Sequence, residues 1–165
     1  MITITTIWNP RVSIELELQI ASAITTLPHP SQFREWVAAA LEGHLEDAEM
    51  TIRLVDELES AQLNQQFRKK TGPTNVISFP YDPSFDGESS LLGDIVVCAP
   101  LVEKEATHLN KPLLARWAHM VIHGTLHLLG YNHENPAEAE IMEGLETDLL
   151  IHLGFPPPYG DTFLL

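Results

Sequence analysis

From Pro100 onward the period of the apolar residues is helical, and this change constrains the fold more than any other feature. Before it, residues 2–8 and 12–20 alternate apolar with polar side chains. Val12, Ile14, Leu16, Leu18 and Ile20 share one face, as strand residues do. Residues 50–55 alternate again, Val76 to Phe79 forms a short strand ended by Pro80, and Leu91 to Ala99 has the apolar, β-branched character of a buried strand. Two helices are expected among these strands. Ser31, after the Leu27–Pro30 linker, caps one that carries Phe33, Trp36, Val37 and Leu41. The other runs from about 57 to 69, with Leu58, Ala61 and Leu63 facing inward. Thr71 to Thr74 is a turn, and residues 82–90 are a polar loop. Beyond Pro100 the spacing predicts helices near 100–109, 112–129 and 136–153, and the three prolines at 156–158 exclude any continuation. Strands with short helices first, then helices, give an α+β layered fold.

The 165 residues suit one domain spanning 1–165. A chain this long buries about 70% of its unfolded surface, so it folds without staples. Cys98 is the single cysteine, which excludes an intrachain disulfide and a cysteine-rich zinc site; within Ile95–Ala99 it reads as a small buried hydrophobe. The amino terminus lacks a basic region followed by an apolar run, and no stretch reaches about 18 apolar residues, so a cytoplasmic location with no membrane contact is expected. Nine Lys+Arg face 23 Asp+Glu, a net charge of −14. That excludes a protein that coats nucleic acid by bulk charge, but not an enzyme with one local cationic spot or a metal.

Histidines crowd one place: His119, His123, His127 and His133. His123 and His127 are four apart on a predicted helix and point to one side about 6 Å apart. That separation suits two imidazoles on one zinc at about 2.0–2.1 Å each. Gly130 can end the helix in a left-handed conformation, after which His133 can return to the same ion. His119 lies about 12 Å along the axis from His127, so one ion cannot take both, and His119 is expected to support the site or pack. Three protein ligands leave a fourth position for water, as in catalytic zinc sites, where the bound water reaches a pKa near 7. The spacing equals that of the metzincin proteases, but Gly124 stands where their general-base Glu would be.

The run His123-Gly-Thr-Leu-His127-Leu-Leu-Gly-Tyr-Asn-His133 resembles the signature of the YbeY family of zinc-dependent endoribonucleases. Leu63-Asn64, Phe67-Arg68, the segment Pro73–Pro80, Gly93-Asp94-Ile95-Val96 and the acidic run Glu138–Glu146 resemble further family segments in the same order, over about residues 50–154. The resemblance implies a small mixed β-sheet packed with about five helices and a zinc site at the end of a central helix. It implies cleavage of single-stranded RNA, with roles in 16S rRNA 3′-end maturation and ribosome quality control on rRNA precursors, alongside the small ribosomal subunit or its associated proteins. His123, His127 and His133 would hold one zinc ion per chain, and Arg68 would be the family's arginine facing the cleft. Asn132 replaces the usual Asp before the last histidine and is expected to orient His133.

Arg68 also stands out without the resemblance. It opens the single run of three basic residues, Arg68-Lys69-Lys70, and a guanidinium can clamp a phosphate and stabilise charge developing on it. Lys69 and Lys70 suit a solvated helix end as readily as an anion site. Asp94 reads as a partly buried acid, Ser78 lacks a visible triad, and the acids between Glu134 and Asp148 read as a solvated helix face. Trp8, Trp36 and Trp117 are too dispersed for a base-stacking platform and are expected in the core. The rival functions are a metal-dependent hydrolase of another substrate, such as a peptide, and a ribosome-associated factor whose zinc is structural. The missing Glu disfavours the first, and a histidine-only, three-ligand set disfavours the second.

Overall fold

A computed structural model describes residues 2–9, 12–82 and 90–159. Its elements in chain order are β1 (Ile2–Asn9), β2 (Val12–Ile20), α1 (Pro30–Leu41), β3 (Asp47–Val55), α2 (Glu57–Leu63), β4 (Val76–Pro80), β5 (Leu91–Cys98), α3 (Ala99–His108), α4 (Leu113–Leu128) and α5 (Pro136–His152). The expected α+β class and mixed sheet with five α-helices are what the chain adopts. The sheet order is β1-β2-β3-β5-β4. β2, β3 and β5 run parallel, while β1 and β4 pair antiparallel at the two edges. Most of the expected 82–90 loop, and the side chain of Trp8, lie outside the described residues.

The alternation in β2 is realised as expected: Val12, Ile14, Leu16 and Leu18 are buried while Ser13 and Glu15 are exposed. α1 docks on α4 through an aromatic edge, Phe33 standing 5.8 Å from Trp117 and, within α1, 5.6 Å from Trp36. Each such fully buried aromatic or aliphatic side chain contributes about 1.5–3 kcal/mol. This apolar body encloses α4, whose Trp117, Ala118, Val121, Ile122 and Leu126 are buried, and so holds the histidine helix rigidly.

Two local expectations are corrected. The N-cap of α1 is His29, not Ser31: the His29 ring accepts the Ser31 N–H at 3.1 Å, and the Gln32 side chain accepts the His29 N–H at 2.8 Å. Pro30 then takes the first helical position, where its missing N–H costs nothing. In α2, Leu58 is 75% exposed; Leu63, as expected, packs against Val55, Val96 and Cys98, while the fully buried positions are the polar Ser60 and, just past the helix, Asn64. The Ser60 hydroxyl donates to the Thr74 carbonyl at 2.8 Å and accepts the Thr74 N–H at 2.9 Å. The Asn64 amide donates to the Gly72 carbonyl at 2.8 Å. A hydrophobic inner face would leave those turn groups without partners, so buried polar residues are what this turn requires. The expected single helix also changes character: a π-turn, Asn64–Arg68, follows α2 and ends at Lys69 with φ +59°.

Candidate metal centre and its cleft

α4 presents His123 and His127 one turn apart, as their spacing predicts. The helix ends at Gly130, whose φ of +105° is costly for any residue with a Cβ. The Tyr131 N–H donates to the Leu126 carbonyl at 3.1 Å and the Gly130 N–H to the His127 carbonyl at 3.0 Å. This Schellman pair reverses the chain and returns His133 to the helix face. Ring centroids of His133 lie 5.5 Å from His123 and 5.0 Å from His127, and one ring nitrogen from each of the three lies within 4.8 Å of the others.

The hydrogen bonds fix the tautomers. His127 Nδ1–H donates to the Tyr131 carbonyl at 2.8 Å, a group that can only accept, so in the neutral ring Nε2 carries a lone pair. His123 Nδ1 lies 2.5 Å from Glu146 Oε2, and with a carboxylate there it must be the donor. In the neutral ring its Nε2 then also carries a lone pair. These two nitrogens face each other at 3.1 Å. Two lone pairs at that distance repel, and a cation between them, whether a proton or a metal ion, removes the repulsion. Two Zn–N bonds of about 2.05 Å span this gap at about 98°, within reach of tetrahedral geometry. Burial, and next the neighbouring His123, push His127 down to about 4, which keeps its nitrogen free for a metal at neutral pH. The donor set therefore fits the metal that its spacing predicts.

Glu146 is the residue that sequence reasoning misses. The helical pattern places it on a solvated face, yet its side chain has no exposed surface. Its carboxylate meets His123 Nδ1, His119 Nε2 at 3.3 Å and the Tyr159 hydroxyl. The Arg116 guanidinium lies 3.2 Å from His119 Nδ1 and is itself held by Glu105 at 2.8 Å. Since arginine only donates, His119 accepts at Nδ1 and donates at Nε2. The His119 Nε2–H is shared between the Tyr159 hydroxyl at 3.1 Å and Glu146 at 3.3 Å, so Glu146 receives donors from His123, Tyr159 and His119 and completes a chain from Arg116 through His119 to His123. Burial alone would raise its carboxyl; the hydrogen bonds from His119 and His123 outweigh that and bring it to about 2. Burial pushes His119 down, so it sits neutral as a supporting group, in line with expectation. Desolvation and the adjacent carboxylate push Tyr159 up, keeping its hydroxyl a donor. His119, His123 and Glu146 also approach one another closely enough to hold an ion, but their donors and acceptors already pair.

Gly124, where a metzincin has Glu, lies against the sheet. A Cβ there would meet Val76 at 3.2 Å and Ile95 at 3.1 Å, so the position faces apolar packing and not the cleft. Ser78, on β4, donates to the Gly124 carbonyl at 3.0 Å and tethers the sheet edge to α4. The two buried indoles, Trp36 and Trp117, are core residues as expected. Asp94 points away from the core between Gly93 and Ile95, yet burial is enough to raise its carboxyl above the ordinary range, as suits the partly buried acid expected. The Asn132 side-chain oxygen accepts the Glu134 N–H at 3.3 Å and so shapes the turn that carries His133.

A cleft of about 920 Å³ opens over the three histidines. Arg68 and Lys70 line it from the π-turn side, and β4 forms one wall. Arg53, Lys104 and Arg116 are committed to Glu59, Glu57 and Glu105, so Arg68 and Lys70 bring positive charge to the cleft of an acidic protein.

A family model described as "Endoribonuclease YbeY" matches residues 19–154, which extends the similarity about thirty residues upstream of the segments that carry the sequence resemblance. The solution structure of TM1509 from Thermotoga maritima superposes with a TM-score of 0.55 at 26% identity, covering 90% of this chain and 99% of that one.

Proposed function

The chain belongs to the YbeY endoribonuclease family, and from that premise we propose that it is a zinc-dependent endoribonuclease that cuts single-stranded RNA, with ribosomal RNA precursors as its substrates. The observation that carries this reading is the facing of the His123 and His127 Nε2 atoms at 3.1 Å beside His133, at the floor of a cleft lined by Arg68. His123, His127 and His133 would hold the ion; when bound, zinc lowers the pKa of water toward neutrality and withdraws charge from a phosphate oxygen. Glu146 fixes His123 with its lone pair toward the cleft, and the Tyr131 carbonyl does the same for His127. Arg68 would clamp the phosphate in two-pronged fashion and stabilise charge that develops on it, with Lys70 adding attraction at longer range. The net charge of −14 disfavours long stretches of backbone contact, so recognition rests on this short cationic wall. A peptidase reading has no support from Gly124, which faces the sheet.

The test is cleavage of an end-labelled RNA in single-stranded and duplex form by zinc-loaded protein. Single-strand cleavage is expected, and Arg68→Ala should keep fold and metal while cutting the rate by about 10²–10³. Unchanged kinetics in a folded, metal-loaded Arg68→Ala protein would remove Arg68 from the reaction.

A further inference from the structure

Phe67 is 55% exposed, although a phenyl ring ordinarily withdraws from water. Its placement is built rather than loose. The π-turn from Asn64 to Arg68 adds a residue to the helical turn, and so rephases Phe67 and Arg68 relative to the buried side of α2. Asn64, buried and tied to the Gly72 carbonyl, anchors the start of that turn. Phe79 of β4 meets the Phe67 ring edge-on, with centroids 5.1 Å apart and planes at 81°. Phe67, Phe79, Arg68 and Lys70 all line the cleft that holds the three histidines. Among the described residues, the other strongly exposed apolar side chains, Leu58, Ile141 and Ile151, do not line it.

We propose that the exposed ring of Phe67, braced edge-on by Phe79 and followed directly by Arg68, is a stacking subsite for one unpaired nucleobase of an RNA strand lying in the cleft. The inference rests on the proposed function and adds a specificity element to it. An aromatic face next to a guanidinium matches the alternation of base and phosphate along a single strand. In a duplex both faces of each base are covered by neighbours, so the platform accepts unpaired nucleotides only. The charge of the wall favours a polyanion over a neutral peptide side chain as the occupant. Because Phe79 already restrains the ring, stacking costs little side-chain entropy.

The test measures binding of a fluorescent single-stranded RNA of about ten nucleotides by anisotropy, with metal removed so that no cleavage occurs. Phe67→Ala should weaken binding by about 5- to 150-fold, the range for loss of one stacked base. A series of RNAs with one abasic nucleotide should contain a position that weakens binding to wild type by the same factor. Phe67→Ala with that RNA should show no further loss. Phe67→Leu should bind as poorly as Phe67→Ala, whereas Phe67→Trp should retain affinity and show its added indole emission quenched by RNA. Wild-type affinity in Phe67→Ala, full affinity in Phe67→Leu, or an unquenched Phe67→Trp would each overturn the subsite while leaving the nuclease reading intact. If wild type neither binds nor cleaves single-stranded RNA, the nuclease reading fails and the subsite falls with it.

Discussion

Replacing Glu146 by Gln keeps the shape of the side chain and removes its charge. Three donors converge on the carboxylate, from His119, His123 and Tyr159. A glutamine has one acceptor oxygen, and its NH₂ group must then confront at least one of those donors. The structure holds the Glu146 carboxyl at about 2 against an ordinary 4.5. That difference corresponds to about 3 kcal/mol in favour of the ionised form over a neutral group, and the amide forfeits it. Metal-free Glu146→Gln should therefore be less stable than wild type by about 3 kcal/mol near neutral pH, and zinc affinity should fall about 10- to 100-fold as His123 loses its fixed tautomer. A depressed carboxyl stabilises the fold fully above its unfolded value and loses that contribution as pH falls through its folded value. The stability gap between wild type and variant should thus narrow between about pH 4.5 and pH 2. Urea unfolding of the apo proteins and competition for zinc against a chromophoric chelator measure both quantities. A variant within about 0.5 kcal/mol of wild type, with unchanged zinc affinity, would refute the role given to Glu146.

Three further outcomes follow from the same geometry. Gly124→Ala should cost about 1–3 kcal/mol in chemical denaturation, because its methyl must displace Ile95 and Val76; an unchanged midpoint would mean the contact relaxes freely. The apo protein should lose stability as pH falls from about 6.5 toward 4, since the unfolded chain takes up a proton on His127 that the fold resists; a flat profile across that window in wild type would contradict it. His119→Ala should retain zinc at one ion per chain by elemental analysis, whereas loss of the ion would make His119 a ligand.

The three-histidine cluster was legible because its signal is local: an i, i+4 pair followed by a helix-ending glycine dictates both the separation and the chain reversal. The element order was legible for the same reason, since alternation and helical period are properties of short windows. Which strands lie side by side is not such a property, so the placement of β4 at the edge, outside β5, had no sequence counterpart. Glu146 was hidden among the acids of α5. Met142, Glu146 and Leu150 are its buried residues, at i, i+4 and i+8, and a carboxylate centred in an apolar stripe is the pattern that separates it from the solvated Glu140 and Glu143. His29 escaped because an imidazole cap is rarer than the serine beside it. Phe67 escaped because helical periodicity cannot register a π-turn, which shifts every later side chain.

The central claim is that metal held by three histidines makes this chain an RNA-cleaving enzyme. The most direct measurement is single-turnover cleavage of a labelled single-stranded RNA as zinc is added stepwise to metal-free protein. Activity should rise linearly and stop at one zinc per chain, with His133→Ala inactive over the same titration. Cleavage by the metal-free protein at the full rate, or a His133→Ala protein that titrates like wild type, would contradict it.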